Sequence, residues 1–396
     1  MREKDLNMCR QVSQKMVILH NNDKTVMRKT IIVSGVNLSE GGPLSIMRSL
    51  LNYLEQSDLA NEYIIYALVH SKKLYPNIRN IELLEYPDVN KSWGNRVIFE
   101  YFRCRRISRD LNAYLWLSMH DVTPNVTAMR RSVYCHNAIA FYKTDFHSFF
   151  SNPKMYIYTV MYKYLYRINI SKNDYVIVQQ KWLKDIFQKM YKLDPKKIIV
   201  AQPVSPEFPT ALKSNLTSTK AFQFIYPAFP RHFKNFEVIC RAAERLENKA
   251  VQNFRIVLTI DGSENDYSKK IVEKYQNLEC INFVGLQNRE NIEGLYASSD
   301  CLIFPSKLET WGLPISEFKR YKKPILTVDL PYAHETVGNY EKVRYFSAED
   351  DDELSVIMLD LLNDELTFNN KGTVEYNEPL ANGWGRLMKY LLKNEN

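Results

Sequence analysis

Two glutamates, Glu309 and Glu317, lie in the phrase Cys301-Leu-Ile-Phe-Pro305-Ser-Lys-Leu-Glu309-Thr310-Trp311-Gly312-Leu313-Pro314-Ile-Ser-Glu317. A short apolar run ends at Pro305, and Pro314 suits the first turn of a helix, so Glu309 is expected in a loop and Glu317 about one turn into the helix. Unpaired backbone N–H groups and the helix dipole would favour an anion there, such as a diphosphate. Gly312 would let the backbone approach it closely. A carboxylate repels such an anion, so the two glutamates are better read as acceptors for hydroxyls beside it. Taken alone, they are more readily a loop cap and a solvated helix residue.

A second loop adds to the pattern. After the apolar run Phe222–Tyr226 comes Pro227-Ala-Phe-Pro230-Arg231-His-Phe-Lys234-Asn235-Phe236, which places two cations between prolines and a helix start. Arg231 as a planar fork and Lys234 as a point charge would neutralise a diphosphate leaving group. An ordinary surface basic pair is the competing reading. Asp121 and Asp145 fall near the expected cleft, but nothing marks either as a base. The six cysteines are scattered without a CxxC pair or a Cys/His cluster, and read as buried thiols in a reducing compartment.

These loops need a frame of alternating elements. Apolar runs at Lys29–Gly35, Tyr63–Val69, Ala113–Leu117, Ser132–Cys135 and Tyr175–Val178 predict parallel strands, with helical stretches between most of them. The glycine loop Gly41-Gly42-Pro43 follows the first strand and opens an amphipathic helix from Leu44. Pro203–Pro209 and the polar stretch Lys213–Lys220 break the pattern and read as a linker. Beyond them, strands at Phe222–Tyr226, Phe254–Ile260, Ile281–Val284, Cys301–Phe304 and Ile325–Val328 alternate with helices at Phe236–Leu246, Asp266–Tyr275, Arg289–Ala297 and Pro314–Tyr321. The expected class is α/β, with two doubly wound Rossmann-like domains facing a cleft. The expected divisions are an extension over 1–26, an acceptor-side domain over 27–204 and a nucleotide-sugar-binding domain over 205–375. A final helix within 376–396 is expected to pack back on the first domain.

Together these loops resemble the retaining glycosyltransferases of the GT-B fold, and most closely glycosyltransferase family 4, the group 1 transferases. The family's E-x7-E motif is matched by Glu309 through Glu317, with Trp311 in place of the usual Phe. Its basic loop is matched by Arg231-His-Phe-Lys234-Asn235, with a shorter gap between the cations than is common. Phe283-Val-Gly285 through Asp300 resembles the nucleotide-side segment, Gly41-Gly42-Pro43 the glycine loop, and His136 in Val133-Tyr-Cys-His136-Asn137 the strand-end histidine. The resemblance spans roughly residues 28 to 350 and is strongest in the second half.

It implies a UDP- or GDP-sugar donor and transfer with retention of anomeric configuration, needing no bound metal. Glu309 would bind the transferred sugar and Glu317 the ribose. Arg231 and Lys234 would stabilise charge on the diphosphate, and His136 would face the donor sugar. Gly41, Gly42, Thr310, Trp311, Gly312, Leu313, Asn235 and Gly285 would line the donor site. The setting it suggests is bacterial surface polysaccharide synthesis with a glycan or lipid-linked acceptor. A non-catalytic scaffold of the same fold is the alternative.

Composition narrows the partners. A hydrophobic share of 45% with 25% charged residues fits a globular chain rather than a disordered one. No run approaches the ~20 apolar residues of a membrane span, and the polar start does not read as a signal peptide. A net charge of +8 leaves nucleic acid, an anionic membrane face or a phosphorylated substrate open. Arg103, Arg105, Arg106 and Arg109 cluster beside Tyr101 and Phe102 on an expected helix. That cluster reads either as a solvated helix face or as a site of peripheral membrane contact, which is favoured over nucleic acid since no nucleic-acid motif accompanies it. The aromatic belt from Phe141 to Tyr166 suits either a membrane interface or a helix packed on the core. The expected location is the cytoplasm, at the inner face of the membrane.

Overall fold

Lys29–Gly35 forms β1, whose central residues are wholly buried because both faces of a parallel sheet are covered. The structure, a computed structural model, describes residues 28–141, 153–203 and 221–393. The expected extension, the linker beyond Pro203, Asp145 and residues 142–152 of the aromatic belt therefore lie outside the described residues.

The first sheet has eight parallel strands in the order β14-β7-β6-β5-β4-β1-β2-β3. They are β1, β2 (Tyr63–Val69), β3 (Glu82–Glu85), β4 (Ala113–Ser118), β5 (Arg130–Tyr134), β6 (Tyr175–Val178), β7 (Ile198–Gln202) and β14 (Leu380–Asn382). Strand order reverses beside β1, the switch point where such sheets open a crevice at their carboxyl ends. Helix α1 (Gly41–Gln56) starts there, directly after the glycine loop.

Between β3 and β4 runs an uninterrupted helix made of α2 (Trp93–Ile98), a π turn (Phe99–Arg103) and α3 (Cys104–Asp110). It is anchored by Glu100, which is buried against His120 Nε2 at 2.8 Å and Arg96 Nε at 3.3 Å. Burial alone would raise this carboxyl, but His120 and Arg96 beside it hold it below its usual range. Helices α4 (Pro153–Arg167) and α5 (Lys181–Tyr191) flank β6 in the chain.

The second sheet has six parallel strands in the order β10-β9-β8-β11-β12-β13. These are β8 (Phe222–Tyr226), β9 (Phe254–Leu258), β10 (Ile281–Phe283), β11 (Cys301–Phe304), β12 (Ile325–Val328) and β13 (Val343–Phe346). Their connections carry α6 (Phe236–Asn248), α7 (Asp266–Tyr275), α8 (Arg289–Ser298), α9 (Leu313–Phe318) and α10 (Pro331–Val337), and α11 (Asp351–Leu362) follows β13. One apolar core runs from Phe224 on β8 to Leu361 on α11. The chain then returns to the first domain. β14 pairs with β7, and α12 (Trp384–Leu392) buries Leu387, Met388 and Leu391 in the core beneath β1 and α1.

Candidate active site

β8 and β11 are neighbours, with Cys301 opposite Phe224, so the loops that follow them leave the sheet side by side. Backbone bonds stitch the two loops together: the Lys307 N–H donates to the Phe233 carbonyl at 2.7 Å. Tyr226 Oη donates to the Lys234 carbonyl at 2.8 Å and fixes the cation loop against its own strand. On this frame Lys234 Nζ donates to Glu309 Oε1, and both side chains are about five-sixths shielded from solvent. Tyr226 and Tyr332 stand close by. Burial, and then the Glu309 charge, push both phenols well above their usual value.

Glu317 sits on α9 as the spacing predicts, but it is buried rather than solvated. Arg289 on α8 donates to its Oε1 at 2.6 Å, and Tyr296 Oη donates to its Oε2 at 2.9 Å. Each carboxylate oxygen keeps acceptor capacity beyond these bonds. The Glu317 charge, after burial, raises the Tyr296 phenol. These two partners were not singled out as site residues in the sequence. Arg289 also pairs with Glu293 at 2.9 Å along α8, a spacing that does not point to Glu317.

Gly312 has φ +86, and a Cβ there would meet Ile315, Phe304 and Tyr332, so the turn into α9 demands glycine. Trp311 is buried and donates through Nε1 to Ser316 at 2.8 Å, while Thr310 and Leu313 are half-buried. Gly285 has φ +68, and its missing Cβ leaves room for the Asp261 carboxylate. Arg231 is exposed and lies over the Phe229 ring at 5.6 Å.

The Asn235 side chain is committed elsewhere. Buried and left-handed at φ +58, it donates to the carbonyls of Ala348 at 2.8 Å and Pro305 at 3.3 Å. Its side-chain nitrogen is thus taken up by two backbone carbonyls of the scaffold.

From the first domain, the glycine loop faces this region. A Cβ on Gly42 would lie 3.7 Å from Leu313 Cδ1, and Gly41 has φ +70. His136 follows β5 and stacks on Tyr134, with ring centroids 4.5 Å apart. Its loop is set by Asp121, whose Oδ1 accepts from the N–H groups of His136 at 2.6 Å and Asn137 at 3.0 Å and from Tyr166 Oη at 2.9 Å. Asp121 is thus an organiser of the loop, held at φ +71. Both ring nitrogens of His136 are shielded from solvent, and burial lowers the imidazole from 6.5 to about 4, leaving it neutral near pH 7. Among the described residues, no three His, Cys, Asp or Glu side chains gather as a metal site. No helix among them is long and apolar enough to cross a membrane.

Two parallel-sheet α/β domains whose strand-end loops meet in this way define a GT-B fold, and the solved structures agree. WaaG, a glycosyltransferase involved in lipopolysaccharide biosynthesis, superimposes with a TM-score of 0.63 at 14% identity, over 84% of this chain and 90% of WaaG. HepE of Anabaena in complex with UDP-glucose gives 0.61 at 12%, over 85% and 90%. Residues 208–377 match the family described as glycosyl transferases group 1. The O-antigen chain mannosyltransferase RfbU of Salmonella typhimurium is 22% identical over 193 residues, which is 48% of this chain and 52% of RfbU. The chain thus spans about half the length of the curated relative it matches.

Proposed function

We propose that this protein moves a sugar from a UDP- or GDP-sugar to a glycan or lipid-linked acceptor, with retention of configuration and without a metal ion. The observation that carries the reading is the pairing of Lys234 with Glu309 between loops of neighbouring strands. A diphosphate entering there would take over Lys234 and release Glu309 to accept hydroxyls of the transferred sugar. Glu317, already held by Arg289 and Tyr296, would accept from the ribose. Lys234 and Arg231 would oppose the charge that grows on the diphosphate as the sugar–oxygen bond breaks. The neutral His136 would meet the sugar as a hydrogen-bonding group rather than as a cation. The named activities of RfbU and WaaG favour a place in surface polysaccharide synthesis.

A membrane-borne acceptor is supported by the helix between β3 and β4. It exposes Trp93 (51%), Val97 (45%), Ile98 (53%) and Phe102 (70%), and its last turns expose Arg105, Arg106 and Arg109. An apolar stripe ending in arginines suits the inner face of an anionic bilayer.

The reading is tested by thermal stabilisation against a panel of UDP- and GDP-sugars. A bound donor at a hundred times its Kd should add about 2.7 kcal/mol. Absence of any shift across the panel, together with no release of nucleoside diphosphate, would leave the non-catalytic scaffold as the better account.

A further inference from the structure

The two domains are joined by more than their covalent links. At the end of β6 the chain passes Gln179 and Gln180 and enters α5 at Lys181, presenting unpaired helix N–H groups toward the second domain. Glu335 of α10 receives them. Its Oε2 accepts from the Lys181 N–H at 2.6 Å and its Oε1 from the Trp182 N–H at 2.8 Å. The helix of one domain is therefore capped by a carboxylate of the other. Tyr376 Oη, on the segment returning to the first domain, donates to the same Oε2 at 3.0 Å.

Beside this cap runs a directed chain of hydrogen bonds. Trp182 Nε1 donates to Gln180 Oε1 at 2.6 Å, and Gln180 Nε2 donates to Thr336 Oγ1 at 2.8 Å and to the Tyr332 carbonyl at 3.0 Å. The Thr336 hydroxyl in turn stands within donating reach of two carbonyls, that of Trp311 and, at 2.9 Å, that of Tyr332 one turn back. Gln180 and Thr336 are both buried, at 0% and 1% exposure, so these bonds have no water to exchange with. Trp311 lies between Glu309 and Gly312, on the loop that carries the donor-site carboxylate.

We propose that Glu335, Gln180 and Thr336 form an interdomain clasp that sets the Glu309 loop in register with the first-domain groups across the cleft, making them positioning residues for transfer. A buried carboxylate is poor evidence of stabilisation for its own sake, because desolvation offsets what its bonds contribute. Burial here does push the Glu335 carboxyl above its usual range. Retaining a charge at that position makes sense if geometry is what it supplies. Small displacements of a positioned group cost rate rather than binding.

The kinetic arm of this inference rests on the glycosyltransferase reading; the structural arm does not. In the full chain, Thr336→Val keeps the shape and removes the hydroxyl that faces the Trp311 carbonyl, whereas Thr336→Ser keeps it. With UDP-glucose or GDP-mannose as the probe, Thr336→Val should release nucleoside diphosphate about tenfold more slowly, with its donor Kd within about twofold of the parent. Thr336→Ser should recover most of that rate. For the cap, spin labels at Lys189→Cys and Lys270→Cys report the distance between domains. Glu335→Gln, which replaces one acceptor oxygen by a donor, should broaden that distribution. A Thr336→Val enzyme as fast as the parent, or an unchanged distribution in Glu335→Gln, overturns the clasp. If the parent releases nothing from either probe, the transferase reading fails, and the distance distribution alone decides for or against the clasp.

Discussion

Lys234 and Glu309 occupy one another while no donor is bound, and neither can be removed without leaving the other charged and partly buried. Lys234→Ala should lower kcat/KM by about 10²–10³, or ~3–4 kcal/mol, as loss of a preorganised donor does. Glu309→Ala should abolish transfer and, with Lys234 left unpartnered, lower the melting temperature by a few degrees while the chain stays folded; initial rates and calorimetry check both. His136 carries a pH prediction. The unfolded chain takes up a proton at the ordinary 6.5 while the folded imidazole waits until about 4. Stability from this residue is therefore complete above 6.5 and is lost as pH falls toward 4. His136→Asn should narrow the difference between urea midpoints at pH 7.5 and pH 5. That the loops of Glu309 and Lys234 stand at one end of the sheet was legible because both follow predicted strands; the ion pair between them was not. Arg289 was not: it reaches Glu317 from a separate helix, 28 residues away, a contact no periodicity announces.

Among the elements, the helix from Trp93 to Asp110 has two unlike faces. Phe99, Cys104 and Ile107 enter the core, while Trp93, Val97, Ile98 and Phe102 face outward. The π turn shifts the pattern by a fraction of a turn, so ideal helical spacing would misplace part of that stripe. A Trp93→Ser, Phe102→Ser double variant should lose most of its binding to phosphatidylglycerol vesicles in a flotation assay. Arg105→Gln with Arg109→Gln should instead make binding less sensitive to salt. Most strands could be read as apolar runs, and the best of them stand within a residue or two of expectation. β3 escaped because Glu82-Leu-Leu-Glu85 is charged at both ends, and β14 because three residues make no pattern. β7, Ile198-Ile-Val-Ala-Gln202, is a clear apolar run that the enumeration of first-domain strands omits.

At the scale of the molecule, function depends on two halves that meet through a few contacts and share a chain end. If Arg231 and Lys234 carry the charge work of a divalent ion, excess EDTA should leave the transfer rate within about twofold; a larger loss means a metal participates. The final strand and helix have a consequence for how the protein is made. β14 covers the outer edge of β7, and α12 fills the core under β1 and α1, yet both are synthesised after the whole second sheet. At the ~5–20 residues per second of translation, the ribosome needs on the order of ten to thirty seconds to travel from β7 to β14. Throughout that interval the first domain holds an open sheet edge and an unfilled core, as a client of whatever shields nascent chains. A stop codon or a protease cut late in the chain would spare every donor-site residue and still fell the domain opposite.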